Sequence, residues 1–207
     1  RVNGSWSVKQ ELDIPTYWSE AGESMLHPIL TGIDIDVNNT IVTMDNKYVF
    51  VFMDDGNNTW SLSHYVLAQA YSGSNKVSIY DNTFIYSDTM GDVILDDGVN
   101  NPGIVHVYKY LNGSWNKLQT LYDSDPQEFE ITGGEIKIHK NIIAVLTTSN
   151  ASGERNGRVL IFKSSDNGNT WPSVPTTVLN KLQLPDYVRM ADVNFQSRLC
   201  LYDNVLM

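Results

Sequence analysis

The chain has 207 residues, of which 42% are hydrophobic and 18% are charged, a composition that can build the core of one globular protein. Its formal net charge of −10, from 14 basic and 24 acidic residues, would repel a phosphate backbone and excludes nucleic acid as an expected partner. No apolar run is long enough to insert into a membrane, and the single cysteine cannot form a disulfide within the chain.

Strand patterns joined by polar turns run through the whole sequence. Residues 1–18 predict the end of one four-stranded unit, and complete units of four short strands are predicted over 29–70, 75–123 and 134–184. Residues 188–207 predict the start of a further unit. Helix-favouring residues are scarce, whereas Asn, Asp, Ser, Thr, Val, Ile and Tyr are plentiful. The sequence therefore predicts an all-β protein.

Tryptophan residues mark a repeat in this pattern. Trp6, Trp60, Trp115 and Trp171 follow one another at intervals of 54, 55 and 56 residues, and each comes after a polar turn. Four antiparallel strands in about 55 residues, repeated in tandem, are typical of a β-propeller blade. A β-sandwich of similar size is the alternative, but it gives no reason for a near-constant Trp interval. We therefore predict a β-propeller that is part of a larger one.

The segment SSDNGNTW, residues 164–171, carries the most specific motif. It contains Ser164, Asp166, Gly168, Thr170 and Trp171 in the order Ser-x-Asp-x-Gly-x-Thr-Trp. In such a turn the Asp carboxylate accepts backbone N–H bonds, Gly takes a positive φ and Trp packs over the hairpin. The motif is therefore interpreted as a structural device.

A weaker copy of this motif, MDDGNNTW, ends at Trp60. It keeps Asp55, Thr59 and Trp60 but has Met53 and Asn57 where the other motif has Ser and Gly. The two copies occupy corresponding places in their units, between the third and fourth predicted strands.

These motifs and the repeat resemble two groups of propellers. SSDNGNTW resembles the Asp box of sialidase-like and sortilin-like propellers. The order of strand, strand, long loop, strand, turn, Trp and strand resembles the FG-GAP-like propeller repeat over nearly the full chain. Both resemblances imply a propeller fold.

The resemblance also implies an alternative function, that of a sialidase-like glycoside hydrolase. Such an enzyme needs three arginines that clamp a carboxylate, a Tyr–Glu pair and an Asp acid. The arginines of this chain show no blade-by-blade spacing: Arg1, Arg155, Arg158, Arg189 and Arg198. No catalytic residue is assigned, and we predict a non-catalytic protein.

One segment, GDVILDDGVNNPG, is a weak calcium candidate. Asp92, Asp96 and Asp97 offer carboxylate oxygens around a glycine, but the alternating Asp spacing of a calcium loop is missing. The four histidines show no zinc-ligand spacing. Apart from this calcium candidate, no cofactor is expected.

Five Asn-x-Ser/Thr acceptor sites lie in predicted turns or loops: Asn3, Asn38, Asn57, Asn112 and Asn150. They favour an extracellular glycoprotein, either secreted or on the cell surface. The expected function is that of a structural, adhesion or recognition module in a surface assembly or filament, with protein or glycan as the partner. A carbohydrate-binding propeller is a further alternative.

The two ends of the repeat should contact more protein. Residues 2–12 and 190–207 each hold only part of a four-stranded unit, and uncovered strand edges recruit partners. We expect additional blades or a neighbouring subunit at these segments. Cys200 lies in an apolar strand pattern of the second segment and is predicted to be a core residue.

Overall fold

The computed structural model describes most of the predicted strands and many of the turns that join them. The described residues are 10–12, 30–45, 47–68, 76–89, 91, 103–125, 130–149, 158–179, 199–202 and 205–206. Several predicted site residues lie outside these ranges: Asn3, Trp6, Asp92, Asp96, Asp97 and Asn150.

Three four-stranded antiparallel sheets and one short hairpin contain the described strands. Sheet 1 consists of β1 (Gly32–Ile35), β2 (Thr40–Met44), β3 (Tyr48–Asp54) and β4 (Trp60–Leu67). Sheet 2 consists of β5 (Val77–Tyr80), β6 (Thr83–Asp88), β7 (Ile104–Leu111) and β8 (Ser114–Tyr122). Sheet 3 consists of β9 (Glu130–His139), β10 (Ile142–Ser149), β11 (Val159–Lys163) and β12 (Thr177–Leu179). The hairpin consists of β13 (Leu201–Tyr202) and β14 (Val205–Leu206).

Consecutive strands pair with one another in every sheet, so each sheet is a meander. No helix occurs among the described residues, and the prediction of an all-β fold is confirmed. It follows that this part of the chain contains no helix able to cross a lipid bilayer. Strand β9 begins at Glu130, ahead of the predicted unit boundary at 134, and it continues through a register shift opposite Leu146 and Thr147.

The sheets stack on one another through their apolar faces. Strand β1 contacts β5, β5 contacts β9, and β9 contacts β13, so the first strands of successive units lie side by side. Between sheets 1 and 2, Val51 packs in one cluster with Phe84 and Trp115. Between sheets 2 and 3, a second cluster joins Leu121 to Phe162. Full burial of each such side chain contributes about 1.5–3 kcal/mol, which makes these two interfaces the main stabilising feature of the fold.

Two polar links also join the sheets. The Asp34 carboxylate of β1 accepts hydrogen bonds from Ser78 Oγ at 2.8 Å and from the backbone N–H of Ile79 at 3.1 Å, both in β5. Farther along the chain, the partly buried Arg158 guanidinium forms an ion pair with the Asp123 carboxylate. Asp123 is buried and lies just after β8. These two links therefore pair charged and polar side chains across the places where the sheets meet.

Cys200 corrects one prediction from the sequence. It directly precedes β13, and its side chain is exposed, so the predicted core position is wrong. Its neighbours Leu199 and Leu201 pack against the apolar cluster of sheet 3 instead. Because side chains alternate along an extended strand, this packing turns Cys200 to the opposite face.

A close approach between sheets 2 and 3 occurs at Gly103. This residue has a φ of +72°, and a Cβ atom there would lie 2.3 Å from the carbonyl oxygen of Thr132 in β9. Gly113, in the turn between β7 and β8, has a similar φ of +85° but has no atom within 4 Å of its Cβ position. The two glycines share a backbone conformation and differ in the space around them.

We predict that Gly103→Ala destabilises the protein more than Gly113→Ala does. Both variants place a side chain at positive φ, which costs about 1–2 kcal/mol. Gly103→Ala adds overpacking against a backbone atom, which costs about a further 1–3 kcal/mol. Urea unfolding of both variants measures the difference in the free energy of unfolding. Equal losses would contradict the close contact between sheets 2 and 3.

Candidate functional site

The turn that joins β11 to β12 is held by hydrogen bonds among its own residues. The buried Ser164 Oγ donates to Asp166 Oδ1 at 2.6 Å and accepts the N–H of Gly168 at 2.8 Å. The Asp166 carboxylate also accepts the N–H of Thr170 at 2.9 Å and its hydroxyl at 2.8 Å. These hydrogen bonds hold the pKa of Asp166 well below its usual range. The bond from the Ser164 hydroxyl has the largest effect, and the bond from the Thr170 backbone N–H has the next largest.

The end of this turn meets the core. Gly168 has a φ of +80°, and a Cβ atom there would lie 3.3 Å from the Lys140 carbonyl oxygen and 3.5 Å from the Trp171 ring. Trp171 itself is buried in the cluster between sheets 2 and 3. The motif thus fixes the conformation of the turn, and the turn positions Trp171 in the interface between sheets 2 and 3.

The weaker motif forms a looser turn between β3 and β4. Asp55 accepts the N–H of Asn57 at 2.8 Å and that of Thr59 at 3.3 Å. The hydrogen bond from the Asn57 N–H lowers the pKa of the exposed Asp55 carboxyl. Trp60 is half-buried, and its indole N–H donates to the carbonyl oxygen of Asn39 at 2.7 Å. The Asp-centred bonding is kept in this turn although the buried serine is missing.

Two glutamines bind the backbones of these tryptophans, and the sequence analysis missed both. Gln119 of β8 donates to the Trp171 carbonyl oxygen at 2.5 Å and accepts the Trp171 N–H at 3.1 Å. Gln10 makes the same pair of bonds to Trp60, at 2.7 Å and 2.9 Å. The signal was present in the sequence, since WSVKQ and WNKLQ both place Gln four positions after a repeat tryptophan.

A polar groove lies between sheets 2 and 3 beside the motif turn. Its volume is about 360 Å³. Lys109 crosses from β7 and donates to the Gly168 carbonyl oxygen at 2.8 Å and to Asn169 Oδ1 at 2.7 Å. The lining residues are Tyr80, Asp81, Thr83, Lys109, Lys140, Asn141, Asn167 and Gly168. These groups offer hydrogen-bond donors, acceptors and one aromatic ring, a set that suits a polar ligand.

The structure distributes the remaining predicted residues over several surfaces. Trp115 is buried on the face of sheet 2 that packs against sheet 1. The glycosylation candidates Asn38, Asn57 and Asn112 are exposed in turns, and Asn38 also donates to Asp81 Oδ1 at 3.0 Å.

Within the described ranges, no three His, Cys, Asp or Glu side chains are grouped so that they could hold a metal ion. The calcium candidates lie outside those ranges.

An aromatic cluster lies between sheets 1 and 2. The buried His106 ring lies 4.7 Å from the Tyr86 ring, centroid to centroid, and its Nδ1 is 3.2 Å from Thr120 Oγ1. Burial, with a smaller effect from Lys117, lowers the pKa of His106 to about 3. The histidine is therefore neutral at physiological pH and contributes to packing.

Comparison with known proteins adds no family assignment. No protein-family model matches the sequence, and no curated protein matches it either.

We predict that Ser164→Ala lowers the free energy of unfolding by about 1–3 kcal/mol, because it leaves the buried Gly168 N–H without its acceptor. Ser114→Ala is the matched control, since Ser114 is exposed at the start of β8. Urea unfolding of the two variants provides the comparison. Similar small losses would show that the serine does not hold the turn.

We predict that His106→Gln flattens the dependence of stability on pH. Below about pH 6.5 the unfolded chain binds a proton at His106, whereas the folded chain does not until about pH 3, so the wild type loses stability as the pH falls through this window. One such group contributes a slope of about 1.4 kcal/mol per pH unit.

Urea unfolding between pH 6.5 and 4.5 measures the two slopes. His64→Gln serves as a comparison, because burial also lowers the pKa of the less buried His64. Parallel slopes for wild type and His106→Gln would contradict a neutral His106.

Proposed function

We propose that the chain is a β-propeller segment that acts as a non-catalytic extracellular module for structure, adhesion or recognition. The observation that carries this proposal is the side-by-side placement of the first strands β1, β5, β9 and β13. Antiparallel meanders that stack in this way, each with its first strand beside the next, are the arrangement expected of propeller blades. The repeated Gln–Trp links and the Trp interval support the same arrangement.

The bonding of the charged side chains supports a non-catalytic role. The Arg158 guanidinium is paired with Asp123 and also donates to the Asp125 carbonyl oxygen at 3.0 Å. The Asp166 carboxylate is bonded to Ser164 and Thr170. A sialidase-like enzyme would need arginines free to clamp a substrate carboxylate, and this arginine is used to hold sheets 2 and 3 together.

The groove between sheets 2 and 3 is the proposed recognition surface. Tyr80 presents an aromatic ring, and Asn141 and Asn167 present amides that hydrogen-bond to hydroxyl or peptide groups. The ligand class is glycan or extended peptide. The exposed turns that carry Asn57 and Asn112 support an extracellular location, because a glycan can be attached there without disturbing the sheets.

A binding assay and a hydrolysis assay together test the proposal. On a glycan and peptide array, Asn141→Ala should weaken binding about tenfold, which corresponds to the loss of about one hydrogen bond. Leu111→Ser, at an exposed position away from the groove lining, should bind as the wild type does. Fluorogenic sialosides and common glycosides should not be turned over. Sustained hydrolysis that a substitution of Arg158 abolishes would contradict the proposal and favour the glycoside hydrolase.

A further inference from the structure

Strand β1 exposes apolar side chains on the face of sheet 1 that points away from sheet 2. Ile33 is 69% exposed and Ile35 is 55% exposed. The exposed strip is narrow, because Phe50 of β3 is fully buried and Thr43 of β2 is nearly so. The register places Phe50 opposite Thr43 and Thr43 opposite Ile33, so the three share one face of the sheet. On this face the middle strands β2 and β3 are covered at Thr43 and Phe50, whereas both edge strands are exposed: β1 at Ile33 and Ile35, and β4 at Tyr65 and Leu67.

The equivalent positions in sheets 2 and 3 are buried. Ile35, Ile79 and Ile138 each pair with the second residue of the following strand, so they occupy the same place in three units. Ile79 and Ile138 are each only 5% exposed, because the preceding sheet covers them. The same difference is found two residues earlier on each strand. Ile33 is exposed, whereas Val77 and Ile136, which occupy the matching positions in sheets 2 and 3, are 5% exposed and fully buried.

The backbone shows the same difference. The N–H of Ile79 donates to Asp34 of the preceding first strand, and the N–H of Ile138 donates to Ser78 Oγ at 3.3 Å. The N–H of Ile35 instead donates to the side chain of its own neighbour, Asp34, at 3.1 Å. Among the described residues, neither the apolar nor the polar contacts of β1 include a first strand of a preceding unit.

The C-terminal hairpin carries the matching face. Tyr202 pairs with Val205 as Tyr80 pairs with Thr83, so Cys200 occupies the position in its unit that Ser78 occupies in β5. Leu199 and Leu201 on one side of β13 pack against sheet 3. Cys200 lies on the other side and is exposed. This other side corresponds to the side on which Ser78 accepts the N–H of the next first strand.

We propose that the β13–β14 hairpin of one copy of this chain docks on β1 of a second copy, with Cys200 beside Ile35. The contact continues the order β1, β5, β9, β13 by one further step, and it brings the first strand of the hairpin, β13, to the exposed first strand β1. A second copy is the occupant because Ile35 and Cys200 are exposed in the same chain, so its own hairpin does not cover its own β1.

This contact is head-to-tail, because it joins two different surfaces. Interfaces of that kind form a ring when the rotation closes and a filament when it does not. The inference depends on the stacking order proposed above and does not depend on ligand recognition by the groove. The ligand assays and the assembly experiments can therefore fail independently.

Sedimentation of the full chain tests the docking. The wild type should self-associate with rising concentration, and Ile35→Asp should raise the dissociation constant at least tenfold. Leu111→Asp is the control, since Leu111 is 41% exposed and lies in sheet 2 at the turn between β7 and β8. Circular dichroism confirms that both variants keep their strands. A wild type that stays monomeric, or equal effects of the two variants, would overturn the proposal.

Disulfide trapping provides a test that does not depend on the strength of association. Cys200 is the only native cysteine, so Ile35→Cys adds a second thiol that can form a bridge to Cys200, and Leu111→Cys is the matched control for bridges that form by chance. With a mild oxidant, Ile35→Cys should form covalent dimers and larger species that a reductant dissolves, in several-fold excess over the control. A bridged monomer would show that the hairpin closes on its own chain, and bridging no greater than in the control would show that the two surfaces do not meet. Either result would overturn the proposal.

Discussion

Sheet 2 has no face that can remain in water, and the arrangement of the other sheets depends on this constraint. Phe84 and Ile85 are neighbours in β6, so their side chains point to opposite faces, and both are fully buried. Phe84 packs toward sheet 1 and Ile85 toward sheet 3. A sheet that is apolar on both faces must lie between two others, which explains why β6 and the first half of β7 bury consecutive side chains and not alternate ones.

Stacking sheets in this way buries polar groups at their interfaces, and hydrogen bonds between the sheets offset part of the cost. An unpaired buried N–H or carbonyl group costs about 1–3 kcal/mol, so the links between the sheets involve backbone atoms that have no strand partner. The Trp171 N–H is bound by Gln119, and the Ile79 N–H is bound by Asp34. Glutamine is suited to binding the Trp171 backbone because its side-chain amide both donates and accepts a hydrogen bond, as the backbone of one residue in a neighbouring strand would.

The local parts of the fold could be predicted from the sequence, and the links between the sheets could not. Strand runs, Asn-Gly turns and the Trp interval depend on neighbours in sequence; the turn at Asn112, where φ is +53°, is one example. Cys200 was assigned to the wrong face because strand periodicity states that two faces differ but does not say which one a neighbouring sheet covers. The Gln10 and Gln119 bonds required knowledge of which sheet lies beside which.

The two copies of the turn motif show how the interface determines the motif. In the complete copy, the buried Ser164 hydroxyl holds the turn close to the sheet, and Lys109 of sheet 2 binds the turn at the Gly168 carbonyl oxygen. In the weaker copy, Met53 occupies the serine position and packs into the apolar cluster between sheets 1 and 2. The thioether of Met53 is a weak acceptor and cannot replace the serine hydroxyl in binding backbone N–H groups of the turn. Residues 55–59 of this turn are exposed to solvent. The complete motif therefore stands where a neighbouring sheet contacts the turn through polar atoms.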